Sequence, residues 1–397
     1  MSMRSAIINS PAEELFLVFC IKEFVSFFQF PGRIPMKKIV LVLTALVVFT
    51  ASGIAQKIQK PTLDPKPCTD AQTQTVREGI AFHDAKKYDD AVAKYQKVLV
   101  ENPDCTLVLY ELSMTYYAMG EKTKSMETAY KGSKYKSEQL PLFYLAMANV
   151  IDDVGKPEAA VNIYLDGIKM LEGDPSMARH LSSLHYNLGV TYTKQKKYNE
   201  ARAELKKAVE YNHQYASPHY LLSIVYNGTS YKVPAFLAAA RFLSLEFNTQ
   251  RSQIAARLIK DVLKPAQKDE KTGNINIFIN MDAPKDEGDF GMFELFLGTL
   301  TTVKGKDDEK KTENEMFVDA VGTIIALVAE SKDLKSTFVG KNYVPFVAEM
   351  KKRGFTEVLG YIVLYHSGNE SALSWLNANE AKLKEFVAWS KAYSLPN

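Results

Sequence analysis

Large and small apolar positions return on a 34-residue grid through the middle of this chain. Counted from Gln72, the residues Gly79, Phe82, Tyr88, Ala91, Tyr95 and Pro103 fall at positions 8, 11, 17, 20, 24 and 32. Re-laid from Ser182, the grid lands on Leu188, Gly189, Tyr192, Tyr198, Ala201, Leu205 and Ala208. The strings KKYDDA and KKYNEA recur 110 residues apart, three periods plus eight. Helical spacing within each window predicts two helices. Small residues at 8 and 20 let the pair approach closely, and large ones at 11 and 24 fill the seam. Gly79, Ala91, Gly189 and Ala201 are therefore expected to be buried where the helices cross. One such pair cannot bury its apolar face alone, so neighbours must stack into a solenoid.

The first repeat (72–105) predicts helices near 72–84 and 87–101. The second (106–139) keeps Leu112, Ser113, Tyr116, Gly120 and Ser125 but lacks Ala at 20. The third (141–174) places Ala148, Ile151, Ala160 and Tyr164, then overruns near Pro175. The fourth (182–215) is strong. The fifth (216–249) keeps Leu222, Ser223, Tyr226 and Ala235, with Pro234 early in its second helix, where a missing N–H costs least. A helix at 252–263 is expected to cap the stack.

Beyond it the grid ends. A polar break at 265–273 is followed by alternating apolar residues at 274–280, a short-strand pattern. An acidic loop (281–291) precedes helical stretches at 292–303, 313–331, 343–353, 356–366 and 371–393. Leu383, Phe386 and Trp389 share one apolar face in the last of these. The expected fold class is all-α, a solenoid of about five helix pairs within 72–264, then a compact helical C-terminal domain at 270–397.

The N-terminal pattern is of another kind. Met36-Lys37-Lys38 is a positive start, 39–48 is apolar apart from Thr44, and small residues precede Gln56. This reads as a bacterial signal peptide at 36–55 cleaved after Ala55, which implies export to the periplasm or cell envelope. The rival reading is an uncleaved anchor, the only route to membrane contact, although the run is shorter than the roughly 20 residues a spanning helix needs. Residues 1–35 precede a complete signal; translation from Met36 explains them most simply, and an extended anchor is the alternative. Pro61, Pro65 and Pro67 make 56–71 an extended spacer. No Cys follows the apolar run closely, so a lipoprotein attachment site is missing. Cys68 and Cys105 remain in the mature chain; they lie near the starts of successive first helices, so a disulfide and two buried free thiols both fit the sequence.

Charge and motifs narrow the chemistry. With 49 basic against 46 acidic residues the net charge is +3, which gives no footprint for nucleic acid. His185 and His219 share grid position 4 and read as packing residues, and no HExxH is present. Asp282, Asp286, Glu287 and Asp289 fail the spacing of a twelve-residue calcium loop, so a solvated loop is expected. Neither GxSxG, a phosphate-binding Gly-rich loop nor a catalytic Cys context occurs. Neither catalysis, a metal nor a cofactor has a positive sequence signal.

Residues 72–249 resemble the tetratricopeptide repeat, most specifically in the first and fourth windows. The resemblance implies a right-handed solenoid whose first helices line a concave face through positions 2, 5, 9, 12 and 13. Position 5 reads Val76, Tyr110, Leu145, Tyr186 and Tyr220; position 9 reads Ile80, Met114, Asn149, Val190 and Ile224; position 12 reads His83, Tyr117, Asp152, Thr193 and Asn227. Members that clamp a C-terminal carboxylate carry Lys at 5 and Asn at 9, where this chain has Val76 and Ile80. The resemblance thus implies a scaffold that binds a protein or an extended peptide, with Tyr110, Tyr117, Asn149, Asp152, Tyr186 and Tyr220 as the binding candidates. Two rivals stay open: an envelope glycan- or peptide-capture protein, and an enzyme with a site where the solenoid meets the C-terminal domain.

Overall fold

The computed structural model describes residues 60–264, 267–268, 275–276, 285–300 and 310–395. The signal peptide and everything before it lie outside these residues. So does most of the expected strand, of which Ile275–Asn276 pairs antiparallel with Gln267–Lys268. Packing divides the chain between Asp166 and Gly167. This division falls inside the expected solenoid (72–264), upstream of the boundary read from the sequence at 264–270.

In the first unit, α1 (Asp70–Asp84), α2 (Tyr88–Glu101), α3 (Thr106–Ala118), α4 (Lys122–Gly132), α5 (Leu140–Asp153) and the start of α6 (Pro157–Leu171) form helix pairs. Thr69 opens α1 with a capping box to Gln72, which satisfies two backbone donors that a helix start leaves free. Gly79 and Ala91 are buried at the α1–α2 crossing. A Cβ on Gly79 would lie 2.5 Å from Tyr95 Cε1, so the position-24 ring fills the notch that position 8 leaves. The spacer is extended but docked. Leu63 pairs with Tyr135 across a parallel bridge, and Asn102, fully buried, donates its amide to the Lys66 and Pro67 carbonyls at 3.2 Å. Cys68 and Cys105 are disulfide-bonded with Cα atoms 5.7 Å apart.

In the second unit a 3-10 turn (Pro175–Met177) leads into α7 (Ala178–Lys194), α8 (Tyr198–Tyr211), α9 (Ala216–Gly228), α10 (Lys232–Leu245) and α11 (Gln250–Val262). Then come β1 (Gln267–Lys268), β2 (Ile275–Asn276), α12 (Gly291–Leu300), α13 (Glu313–Glu330), α14 (Phe338–Asn342), α15 (Val344–Lys352), α16 (Thr356–Tyr365), α17 (Glu370–Ala378) and α18 (Glu380–Ala392). Asn379 splits the single stretch expected at 371–393 into α17 and α18.

Helix α10 ties the last repeats to the C-terminal segment within the second unit. Every residue from Val233 to Ser244 is buried. A helix apolar all round needs partners on all sides. Here α9 and α11 cover it along the solenoid, while α12, α16 and α18 pack on it from the C-terminal segment. One core results, running from Ala201 and Leu205 through Phe236 and Phe242 to Val358 and Phe386.

Candidate partner-binding faces

On α3 the residues left partly open include Leu107, Tyr110, Glu111, Met114, Tyr117 and Ala118, a stripe at three- and four-residue spacing; Val108, Leu109, Leu112 and Ser113 turn inward. On α5 the matching stripe is Leu142, Leu145, Asn149, Asp152 and Asp153. Each candidate there already has company. The Tyr110 ring meets the Phe143 edge at 6.2 Å between centroids. Tyr117 donates to the Asp153 carboxylate, and burial together with that bond pushes its phenol up to about 12. Asn149 Oδ1 accepts from Tyr164 at 2.6 Å, and Asp152 is half-buried. Val76, expected at the face, is wholly buried in the core. Its turn of α1 packs onto α2, where a branched apolar side chain gains more from burial than from water.

The second unit carries a different face. Tyr186 and Tyr220 are half-buried; Tyr186 meets Tyr215 at 5.3 Å and Tyr220 meets Phe242 at 5.0 Å. Arg251 sits 5.4 Å over the Tyr220 ring, its guanidinium forked onto Glu246 and donating to Ser217 Oγ at 3.0 Å. Burial raises the Tyr186, Tyr215 and Tyr220 phenols, which keeps them protonated as donors. Tyr215 and Arg251 were not among the sequence candidates. Continuing the grid one step past 249 would have put Arg251 at position 2, one of the concave positions.

The other sequence candidates are built into the packing. His185 is buried, stacked on Tyr211, with Nδ1 2.6 Å from Glu204 Oε2. His219 is fully buried between the Tyr343 hydroxyl at 3.0 Å and the His213 carbonyl at 3.1 Å. The acidic loop departs from a fully solvated segment at Glu287. Glu287 is completely buried and pairs with Lys206 at 2.7 Å, while Asp286 pairs with Arg202 at 2.9 Å and accepts from Tyr231. Glu287 is neutralised by α8 rather than by water, as a buried carboxylate requires, whereas Asp289 is exposed as expected and pairs with Lys285 of the same loop. Asp282 lies outside the described residues.

Sequence reasoning also passed over Arg241. This guanidinium is wholly buried, and no carboxylate bonds it among the described residues. It donates to Ser390 O at 3.1 Å, Ser390 Oγ at 2.9 Å and the His213 carbonyl at 3.2 Å, and lies 4.4 Å from the Phe346 ring. Ser390 is in the last turn of α18, so the negative end of that helix supplies what a carboxylate would. Burial lowers its pKa to about 10, which leaves it charged at neutral pH. Among the described residues no three His, Cys, Asp or Glu side chains gather as metal ligands, and no helix is long and apolar enough to cross a membrane.

Residues 182–215 match the sequence model of the tetratricopeptide repeat, the fourth window of the grid. No curated protein matches the chain. Solved structures with which it shares similarity include a thermophilic tetratricopeptide-repeat protein of Thermus thermophilus. That match has 18% identity and a TM-score of 0.39, over 47% of this chain and 98% of that one. Others are PilF of Pseudomonas aeruginosa (14% identity, TM-score 0.38, 49% of this chain and 92% of that one) and YrrB (12%, 0.34, 46% and 90%), described as having an unusual peptide-binding site. The chain thus carries a tetratricopeptide-repeat match in its fourth window, within an all-α fold of paired helices.

Proposed function

We propose that this chain is an exported interaction scaffold that recognises protein partners, in extended form, through the open stripes of its first helices and does no chemistry itself. The observation that carries this reading is the pair of aromatic stripes. Tyr110 and Tyr117 in the first unit, and Tyr186 and Tyr220 in the second, are half-buried rings on the faces their helices leave open. Such rings offer large contact area with little rotamer freedom to lose, the character of interface anchors. Of the titratable groups that converge, His219, Arg241 and Tyr343 are engaged with one another or with backbone carbonyls, while the His213 ring packs against that of His219. That disfavours an enzyme at the solenoid's C-terminal end. Export rests on the leader pattern, and the disulfide suits an oxidising compartment. N-terminal sequencing of the exported protein should begin at or within a residue of Gln56; recovering residues 1–35 would contradict export by this leader.

The functional test is capture of partners from envelope extract by the wild type and by Tyr186→Ala/Tyr220→Ala. Loss of capture with helical circular dichroism retained supports recognition by this face. Equal capture by the folded double variant sinks it.

A further inference from the structure

The spacer before the first helix is built as a strap. Thr62 and Leu63 donate their amides to the Lys134 carbonyl at 3.0 Å, Lys136 N–H returns to the Leu63 carbonyl at 2.8 Å, and Lys66 N–H reaches the Asp104 carbonyl at 3.2 Å. Asn102, buried at the end of α2, adds its side-chain amide to the Lys66 and Pro67 carbonyls. These partners belong to the loops that follow α2 and α4, not to the open stripes of α3 and α5.

Burial does not hold the strap in place. Between Lys60 and Pro67 no residue is buried, and Leu63, its one large apolar side chain, is 44% exposed. The Lys136–Asp64 pair is open to water at both ends, where an ion pair contributes little. Hydrogen bonds exchanged with water give a small net gain, whereas ordering each residue of a free chain costs backbone entropy. Pro61, Pro65 and Pro67 lower that cost, but each also removes a donor. The Cys68–Cys105 bond supplies the difference. Cys105 is buried in the first repeat's core with Val76, Tyr95 and Val98, so it fixes the C-terminal end of the strap beside the loop that the strap follows.

We infer that Cys68–Cys105 is a redox latch: residues 62–67 stay on the first unit while it is oxidised and leave as a free tail when it is reduced. Cys68 is half-buried and Cys105 is 2% exposed, so an incoming thiol meets Cys68 first. The reductant is a dithiol. One of its thiolates attacks the Cys68 sulfur, the S–S bond breaks, and Cys105 leaves as a thiolate that takes up a proton. The second thiol then displaces Cys68, so two electrons and two protons pass to the protein and the reductant closes its own disulfide. Release lays bare the Asn102 amide, the Lys134 carbonyl and the Lys136 N–H, groups of the kind with which an extended segment pairs. Redox state thereby sets whether this edge is occupied. The latch is independent of the recognition reading above.

Hydrogen exchange read by mass spectrometry tests the latch on the full chain, with the oxidised protein, the same protein in dithiothreitol, and Cys68→Ser/Cys105→Ser. Amides in 60–68 and in 134–137 should exchange about tenfold faster or more in both unlatched forms, while those of α3 keep their protection. Asp64→Asn, which breaks only the exposed pair with Lys136, should leave the oxidised strap protected. Unchanged exchange at 60–68 after reduction would show that the hydrogen bonds hold the strap unaided. Protection lost throughout the first unit would show that the disulfide maintains the fold rather than the strap. Release by Asp64→Asn with the disulfide intact would put the anchor at that ion pair. Each of these results overturns the inference.

Discussion

At residue scale the most regular feature is one that hydrophobic pattern does not mark. Position 15 of each of the five repeats has a left-handed backbone: Lys86 (φ 59°), Gly120 (79°), Gly155 (80°), Lys196 (59°) and Ser230 (67°). In each repeat the next N–H returns to the carbonyl of position 11, as in Lys197 to Tyr192 at 2.9 Å and Lys156 to Ile151 at 3.1 Å. This closing bond ends the first helix and aims the chain into the second. Glycine adopts the conformation freely, and a side chain there costs roughly 1–2 kcal/mol. Lys196→Gly should therefore raise unfolding free energy by about 0.5–1 kcal/mol in urea titrations, and Gly155→Ala should lower it by a similar amount. A destabilised Lys196→Gly would show that the lysine side chain matters more than its backbone. The notches obey the same register. Ala201 is wholly buried, and a Cβ on Gly189 would stand 2.8 Å from Leu205 Cγ. Ala201→Leu should cost on the order of 1–3 kcal/mol by overpacking that crossing.

At the scale of elements, the repeats were legible because size at positions 8, 11, 20 and 24 dictates how closely two helices pack. The division of the chain was not. The grid treats α10 as an ordinary second helix of the last repeat. Yet PAFLAAARFLSL has almost no polar side to face water, and that run is where the C-terminal helices dock. Its one charge, Arg241, looks like a surface residue in the sequence. Only the fold brings Ser390 to it, 149 residues away. The binding candidates were legible as positions but not as environments: tyrosines could be placed on first helices, whereas their packing against Phe242, Tyr215 and Arg251 depends on neighbouring elements. Arg241→Ala should cost about 3 kcal/mol, because it strips the last turn of α18 of its donor and removes one bond each from the His213 carbonyl and Gln214 Oε1. Trp389, stacked on Phe346 at 5.0 Å, reports the docking of α18. In a Trp375→Phe background its emission should shift to the red in the Arg241 variant; an unshifted spectrum would mean that α18 docks without the arginine.

For the whole molecule, acid and partner binding probe different parts of the design. Burial, with Arg241 nearby, lowers the His213 pKa to about 4, and burial holds His219 well below its ordinary range beside Tyr343, His213 and Arg241. The unfolded chain takes up these protons near pH 6.5 and the folded chain does not, so stability is full above about that pH and falls as pH drops toward 4. Urea midpoints should decline between about pH 7 and pH 5, and less steeply in a folded His213→Asn variant. A flat profile would mean that these imidazoles protonate in place. The central claim is that partners lie on the open stripes of the first helices, and site-specific photocrosslinking tests it most directly. A photoreactive phenylalanine would replace Tyr110, Tyr117, Tyr186 or Tyr220 in turn, with Tyr130 on α4 and Tyr198 on α8, each 40% exposed, as controls on second helices. Crosslinks to partner from the first four positions and not from Tyr130 or Tyr198 are the expected result; crosslinks from the second-helix tyrosines alone would contradict it.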